Sequence, residues 1–305
     1  MFAEREEQML IITHGGAGRF DSGTLERVRE RLRAGGEEPV TLCECASADE
    51  LERALDRQEP GDETVVAAGG DGSIHRLVAT LYARGELDRR TVGLLPLGTG
   101  NDLARNLRIP LDPDEAARVI REGRTRDLDL LADDEGGVVL NAVHVGVGAV
   151  AATFAARFKP WLKSAAFPVG AVLAGTRSMG WRLTVEADGE IVAEDKLLMV
   201  GLSNAPGIAG GSALLAPDAS PGDGRVELVV SAATGPLARI RYALGLRSGA
   251  HRHHDDVVYT AATNATVSGE EFLVNSDGEV SGPYTRRTWR VVPKAWRIIA
   301  PPDGD

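Results

Sequence analysis

A chain of 305 residues with 43% hydrophobic and 26% charged side chains exceeds the size at which one core keeps growing, so two domains are expected and long disorder is not. Its formal charge of −11 opposes any general affinity for nucleic acid or anionic membrane and leaves only local basic patches for such contacts. The opening MFAEREEQMLIITHGG has acidic residues before a short apolar run and lacks the basic start of a secretory signal, which predicts a cytoplasmic protein. The longest weakly polar stretch, Ala165 to Thr176, contains Pro168 and is too short to cross a bilayer.

Taken in chain order, the first 130 residues alternate strands and helices. Met9 to Thr13 reads as a strand, Thr24 to Ala34 as a helix, Pro39 to Cys43 as a strand and Ala48 to Leu55 as a helix. Cys43 and Cys45 are the only cysteines. Alternation would put them on one face of a strand, with too few ligands nearby for zinc, so a structural role is expected. Thr64 to Ala68 and Val92 to Leu95 are β-branched or leucine-rich strands, and between them Ile74, Leu77, Val78 and Leu81 make a helical stripe. Strands alternating with helices predict a parallel sheet covered on both faces. Beyond Leu130 the strand runs Val138 to Val145, Arg182 to Ala187, Ile191 to Leu202, Arg225 to Ser231 and Val257 to Val267 predict a mainly antiparallel domain. Asp188-Gly189 marks a hairpin, and helical patterns cover Val150 to Thr176 and Pro236 to Arg247. The predicted fold is therefore α/β with two domains: a parallel-sheet domain over 1–130, to which 296–301 returns, and a mainly antiparallel β-rich domain over 131–295.

The chemistry concentrates in two glycine loops. Val65 to Ala68 runs into Gly69-Gly70-Asp71-Gly72-Ser73, where glycines permit close approach of a phosphate and the N–H groups of the next helix favour negative charge. Asp71 would repel phosphates unless a cation intervenes, which implies Mg²⁺ held through Asp71 directly or by water. The second loop, Gly98-Thr99-Gly100-Asn101-Asp102, also ends a strand, with Asn101 suited to cap the following helix and Asp102 at its tip. Ligands of open parallel sheets bind at the carboxyl ends of the strands, so both acids can serve one nucleotide and metal.

Gly-Gly-Asp-Gly-Ser followed by Pro-Leu-Gly-Thr-Gly-Asn-Asp-Leu-Ala-Arg resembles the diacylglycerol kinase catalytic family and its bacterial lipid-kinase relatives. The likeness continues through Asn141 in Leu-Asn-Ala-Val-His-Val-Gly, Ala216-Pro217, Asp223-Gly224 and Asp277-Gly278-Glu279. It implies ATP as phosphoryl donor, Mg²⁺, and a lipid alcohol as acceptor, diacylglycerol first and sphingoid bases among the others, with 1–130 as the nucleotide-binding domain, 131–295 as the lipid-substrate domain and the active site expected in the cleft between them. It further implies Mg²⁺ networks involving Asp71, Asp102 and Asp129, with Asp127 as the fallback for Asp129. Asp223 would sit in a structural metal loop with the carbonyls of Ser220 and Arg225, although the same letters make an ordinary turn. Glu279 matches the general base, a role a carboxylate suits because it can orient a hydroxyl and accept its proton. Asp277-Gly278 reads equally as a hairpin turn with Glu279 exposed. The family's Asn-Pro start is replaced here by Thr13-His14-Gly15-Gly16-Ala17-Gly18, in which Gly16 and Gly18 can still approach phosphates.

Competing classes are narrower fits. A soluble NAD kinase shares Gly-Gly-Asp-Gly but not the second loop, and a lipid-binding regulator would be expected to lose an acid among Asp71, Asp102 and Glu279. An esterase would need a G-x-S-x-G elbow that is missing here. Gly146-Val147-Gly148 is read as close strand–helix packing, and His251, His253 and His254 as a solvated loop. The segment Phe154 to Arg182 interleaves Phe154, Phe158, Trp161 and Phe167 with Arg157, Lys159, Lys163, Arg177 and Arg182. That pattern fits either a helix packed into the second domain or a peripheral membrane face. Monomer and homodimer both remain open.

Overall fold

In the computed structural model of the chain, residues 9–13, 22–33, 40–58, 63–149 and 180–302 are described. They form two compact units, one of the residues up to Leu128 together with those from Lys294 onward, the other spanning Asp129–Pro293.

The first unit contains β1 (Met9–Thr13), α1 (Ser22–Arg33), β2 (Val40–Glu44), α2 (Ala48–Asp56), β3 (Thr64–Gly69), α3 (Asp71–Ala83), β4 (Thr91–Pro96), α4 (Asp102–Asn106) and α5 (Pro113–Glu122). Strands β2, β1, β3 and β4 lie side by side in that order, all parallel. β1 is buried along its whole length, as are β3 and β4 apart from Thr64 and Thr91, as a sheet covered on both faces requires. Because β1 is flanked by β2 on one side and β3 on the other, the winding reverses between β1 and β3, and ligands of such sheets bind at that end of the strands. The chain returns here at its end, where Arg297 and Ile298 pair in parallel with Thr91 and Val92.

Helix α5 was not anticipated from the periodicity, although its punctuation is complete. The Asp112 carboxylate accepts the N–H groups of Asp114 and Glu115, Pro113 opens the helix and Gly123, at φ 64°, closes it. Arg90 is buried in this unit, with its guanidinium donating to Glu86, Gln58 and Glu63. The two cysteine sulfurs are 3.7 Å apart at the end of β2. Burial pushes the Cys45 thiol up to about 12, so it is inert as a nucleophile at neutral pH.

The second unit holds β5 (Thr125–Asp133), which begins in the first, then β6 (Val138–Val139), β7 (Ala142–Gly146), β8 (Trp181–Ala187), β9 (Glu190–Leu197), β10 (Met199–Ser203), β11 (Gly207–Ile208), β12 (Ala213–Leu214) and β13 (Val226–Ser231). Helix α6 (Pro236–Gly245), β14 (Val257–Ala262), β15 (Asn264–Ser276) and β16 (Glu279–Ile299) follow. β15 pairs antiparallel with β7, β8 and β16, and the antiparallel order continues from β7 through β10 and β13 to β14. One face carries the core of Val143, Val145, Val200, Leu202, Leu228, Phe272 and Trp289. A smaller cluster around Met199, Leu215 and Tyr242 covers Ala142 and Val229.

Three runs expected as single strands are each divided. Val138 to Val145 breaks at Leu140 and Asn141, whose N–H groups donate to the Asp277 carboxylate instead of a ladder. Ile191 to Leu202 breaks at Leu198, whose N–H donates to Ser231 and whose carbonyl accepts from Val147. Val257 to Val267 breaks at Thr263, whose N–H and hydroxyl both donate to Asp188. In each case a side chain or a third strand takes the hydrogen bonds that a continuous ladder would have used. His251 also differs from expectation. It is fully buried, its Nε2 lies 2.9 Å from the Leu215 carbonyl and its ring meets Tyr242 edge-on at 5.3 Å.

Strand β7 puts His144 inside the protein with burial as the cause of a pKa lowered to about 4. The unfolded imidazole takes up a proton near pH 6.5 while the folded one refuses it down to about 4. Stability is therefore fully present above pH 6.5 and falls as the pH drops through that window, by at most about 3 kcal/mol. Urea unfolding at pH 7 and pH 5 should show about 2 kcal/mol of that loss, and His144→Gln should flatten it. An unchanged slope in the variant would assign the acid sensitivity to other groups.

Candidate active site

The continuous apolar run of β3 ends where Gly69 and Gly70 turn the chain into α3, with the Ser73 and Ile74 N–H groups returning to the Gly70 carbonyl. β4 ends one strand away, and the Leu97 N–H donates to the Gly69 carbonyl at 2.8 Å, so the second loop is laid against the first. The approach is too close for side chains. A Cβ on Gly98 would stand 2.4 Å from the Gly70 Cα, and one on Gly69 would stand 2.1 Å from the Ser73 hydroxyl. Neighbouring backbone crowds position 98 and the Ser73 side chain crowds position 69, leaving the N–H groups of both loops at the carboxyl ends of the strands.

Asp71 fastens the pair. Its Oδ1 accepts the Leu103 N–H at 3.1 Å, in the first turn of α4, and a Cβ on Gly100 would stand 3.0 Å from its Oδ2. Asp71 is thus half-buried and bridges both loops. The capping role expected of Asn101 is corrected. The residue precedes α4 at φ 55° without a side-chain cap bond. Its amide instead pins its own loop, accepting from the Gly98 N–H at 3.0 Å and donating to the carbonyls of Gly98 and Pro96. Asp102 lies half-buried in the first turn of α4, and Thr99 is exposed at the tip of the loop. Arg105 donates to the Gly100 carbonyl and fixes the other end of the turn.

Asp129, Asp223 and Glu279 belong to the second unit. Asp129 is buried on β5, its carboxylate accepts the Gly224 N–H at 2.6 Å and its own N–H donates to Pro221. The structure therefore brings Asp129 to the Pro221–Gly224 turn, while Asp223 itself is exposed and accepts the Arg225 N–H as an ordinary turn acid does. Asp127, the fallback, is exposed and lies 3.4 Å from Arg297. Glu279 is exposed at the start of β16, opposite Ser276, directly after a tight turn in which Asp277 and Gly278 have φ 49° and 98°. Gly16 and Gly18, and the segment from Phe154 to Met179, lie outside the described residues.

Three side chains in this region make contacts that were not anticipated. The Asp277 carboxylate accepts the N–H groups of Leu140, Asn141 and Ala142 at 2.6, 2.9 and 3.1 Å, so it anchors the start of β7 to the turn that presents Glu279. Asn204 is buried after β10 and donates to the carbonyls of Asp129 and Leu140. Its signal in the sequence was faint: a polar Ser203-Asn204 pair closing an otherwise apolar strand. Arg287, also buried, gathers Asp133, Asp134 and Glu135 and lies over the Tyr284 ring at 4.4 Å.

The donor set suits Mg²⁺ in one particular form. Among the described residues there is no group of three or more His, Cys, Asp or Glu that could hold a metal by itself. Mg²⁺ bound to nucleotides ordinarily uses one or two carboxylates, water and phosphate oxygens, and Asp71 and Asp102 beside a glycine cradle supply that set.

A parallel sheet bearing paired glycine loops, joined in one chain to an antiparallel β unit, defines a two-domain α/β protein. The chain belongs to the diacylglycerol kinase family of lipid kinases: residues 8–132 match the diacylglycerol kinase catalytic domain and residues 141–300 the YegS C-terminal NAD kinase beta sandwich-like domain. It is 29% identical over 269 residues to a diacylglycerol kinase of Bacillus subtilis (strain 168), covering 85% of this chain and 84% of the relative. It is 33% identical over 229 residues to a YegS-like lipid kinase of Serratia proteamaculans (strain 568), covering 72% and 71%. A crystal structure of a diacylglycerol kinase from Bacillus anthracis str. Sterne superposes with a TM-score of 0.74 at 18% identity, over 97% of each chain, which speaks to the fold. Among the described residues no helix is long and apolar enough to cross a membrane.

Proposed function

We propose that this protein transfers the γ-phosphoryl group of ATP to the hydroxyl of a membrane lipid alcohol, with diacylglycerol as the preferred acceptor and phosphatidic acid as product. The observation that carries this reading is the pair of abutting glycine loops tied by Asp71 to the Leu103 N–H, in a chain of the lipid-kinase family. In this reading Gly69, Gly70, Gly72, Ser73, Gly98, Thr99, Gly100 and Asn101, with Gly16 and Gly18, bind the nucleotide phosphates through backbone and hydroxyl groups. Asp71 and Asp102 hold Mg²⁺, with Asp129 and Asp223 in the wider metal network. Bound Mg²⁺ neutralises charge on the phosphates. Glu279 orients the acceptor hydroxyl and takes its proton as the oxygen attacks phosphorus in line and ADP leaves. An exposed carboxylate at the start of a hairpin strand suits a base that must reach a lipid headgroup.

Incubating the protein with γ-labelled ATP, Mg²⁺ and detergent-dispersed diacylglycerol, monoacylglycerol, sphingosine and NAD separates the readings. Label is expected in phosphatidic acid ahead of the other products. Label in NADP alone would replace this function with NAD phosphorylation, and labelling of no product would favour a non-catalytic regulator.

A further inference from the structure

Helix α6 is oriented against the usual rule for a surface helix. Its inner face buries Tyr242 and Gly245, while Leu237, Ile240 and Leu244 stand outward at 82%, 59% and 66% exposure. These residues recur at i, i+3 and i+7 and so form one stripe, of the kind a soluble surface seldom leaves uncovered. Arg241 borders the stripe on one side, and Arg247, exposed just past the end of the helix, borders it on the other. From Leu228 to His254 the chain has no Asp or Glu but contains Arg239, Arg241, Arg247 and Arg252, although the protein as a whole carries −11. Part of that charge is answered locally, because Asp256 pairs with Arg241 at 2.9 Å and Asp218 with Arg252.

We infer that the outer face of α6 is a membrane-docking surface that inserts Leu237, Ile240 and Leu244 at the headgroup boundary of a bilayer containing anionic lipid. The occupant follows from chemistry. An apolar stripe bordered by arginines matches acyl chains beneath negative headgroups. A second copy meeting this face across a two-fold axis would bring the same arginines together, with no acidic residue on the helix to receive them. The local ion pairs make insertion of the three apolar side chains the larger contribution and attraction to anionic headgroups the smaller. The inference rests on the lipid-kinase reading only for its purpose, bringing the enzyme to an acceptor that resides in a membrane; the surface itself is independent of turnover.

The test is co-sedimentation of the full chain with phosphatidylcholine vesicles, with and without phosphatidylglycerol, in the absence of ATP and acceptor. Wild type should pellet more strongly with the anionic vesicles. Leu237→Ser with Ile240→Ser and Leu244→Ser should weaken vesicle binding by about tenfold or more. Arg247→Glu should weaken it by a few-fold to about tenfold, an effect that disappears at high salt. Leu237→Trp places a probe on the stripe without removing it, and its emission should shift to the blue when vesicles are added. Kinase activity on detergent-dispersed diacylglycerol should be unchanged in all of these variants. The inference is overturned if the triple variant pellets like wild type, if the Leu237→Trp emission ignores vesicles, or if wild type is a dimer that the triple substitution converts to a monomer. Vesicle binding without activity toward any lipid would overturn the proposed reaction and leave the docking surface standing.

Discussion

Asp71→Asn is expected to lower phosphoryl transfer by about 10²–10³-fold, the range for losing one electrostatic contact to a developing charge, while the protein stays folded. The asparagine variant is the informative one because the proposed mechanism gives Asp71 a second task beside its structural one. Its Oδ1 accepts the Leu103 N–H and so holds α4 against the first glycine loop. An amide oxygen preserves that bond and removes only the charge. Asp71→Ala removes both and should add a loss of stability of about 1 kcal/mol, as for a helix cap. Measuring turnover against Mg²⁺ concentration, together with thermal unfolding of both variants, distinguishes the tasks. Near-wild-type turnover of Asp71→Asn would show that the carboxylate is a structural tie and that the metal is held elsewhere.

That double role shows where the sequence stopped being readable. The loops after β3 and β4 were legible because each ends a continuous apolar run in glycines, a local signal that needs no partner. The close contact of Gly70 with Gly98, and the reason both must be glycine, depends on the neighbouring register of β3 and β4 and appears only in the fold. β5 escaped notice because Asp127 and Asp129 interrupt its apolar pattern, and burial of Asp129 makes sense only once Gly224, 95 positions away, supplies an N–H. Arg287 reads as one more basic residue in a polar strand until Asp133, Asp134 and Glu135 converge on it. Periodicity announced the helix at Pro236 to Arg247 but could not tell that its apolar stripe faces outward, since a stripe has the same spacing whichever way it points. Hairpins were legible at Asp188-Gly189 and Asp277-Gly278. The reach of each aspartate to the adjoining strand, Asp188 to Thr263 and Asn264 and Asp277 to Leu140 through Ala142, was not.

The same hairpin separates the proposed base from its support. Glu279→Gln should bind ATP as wild type does and lose about 10²–10⁴-fold in transfer, because the amide keeps the shape of the side chain and cannot accept the proton of the acceptor hydroxyl. Its stability should change by no more than about 0.5 kcal/mol, since Glu279 is exposed and begins its strand. Asp277, two residues earlier, should behave in the opposite way. Asp277→Ala strips the acceptor from three N–H groups of the segment Leu140 to Ala142 and should cost about 3 kcal/mol of stability. Whatever activity is lost in that variant would follow from movement of the turn. The pair therefore needs two measurements, denaturant midpoint and single-turnover transfer at saturating ATP. A transfer defect in Glu279→Gln with an unchanged midpoint identifies the base. If Glu279→Gln instead raises the concentration of ATP required and transfers normally once saturated, Glu279 serves the nucleotide. If it matches wild type in both, Glu279 is the exposed residue of an ordinary hairpin and the proton is taken by another group.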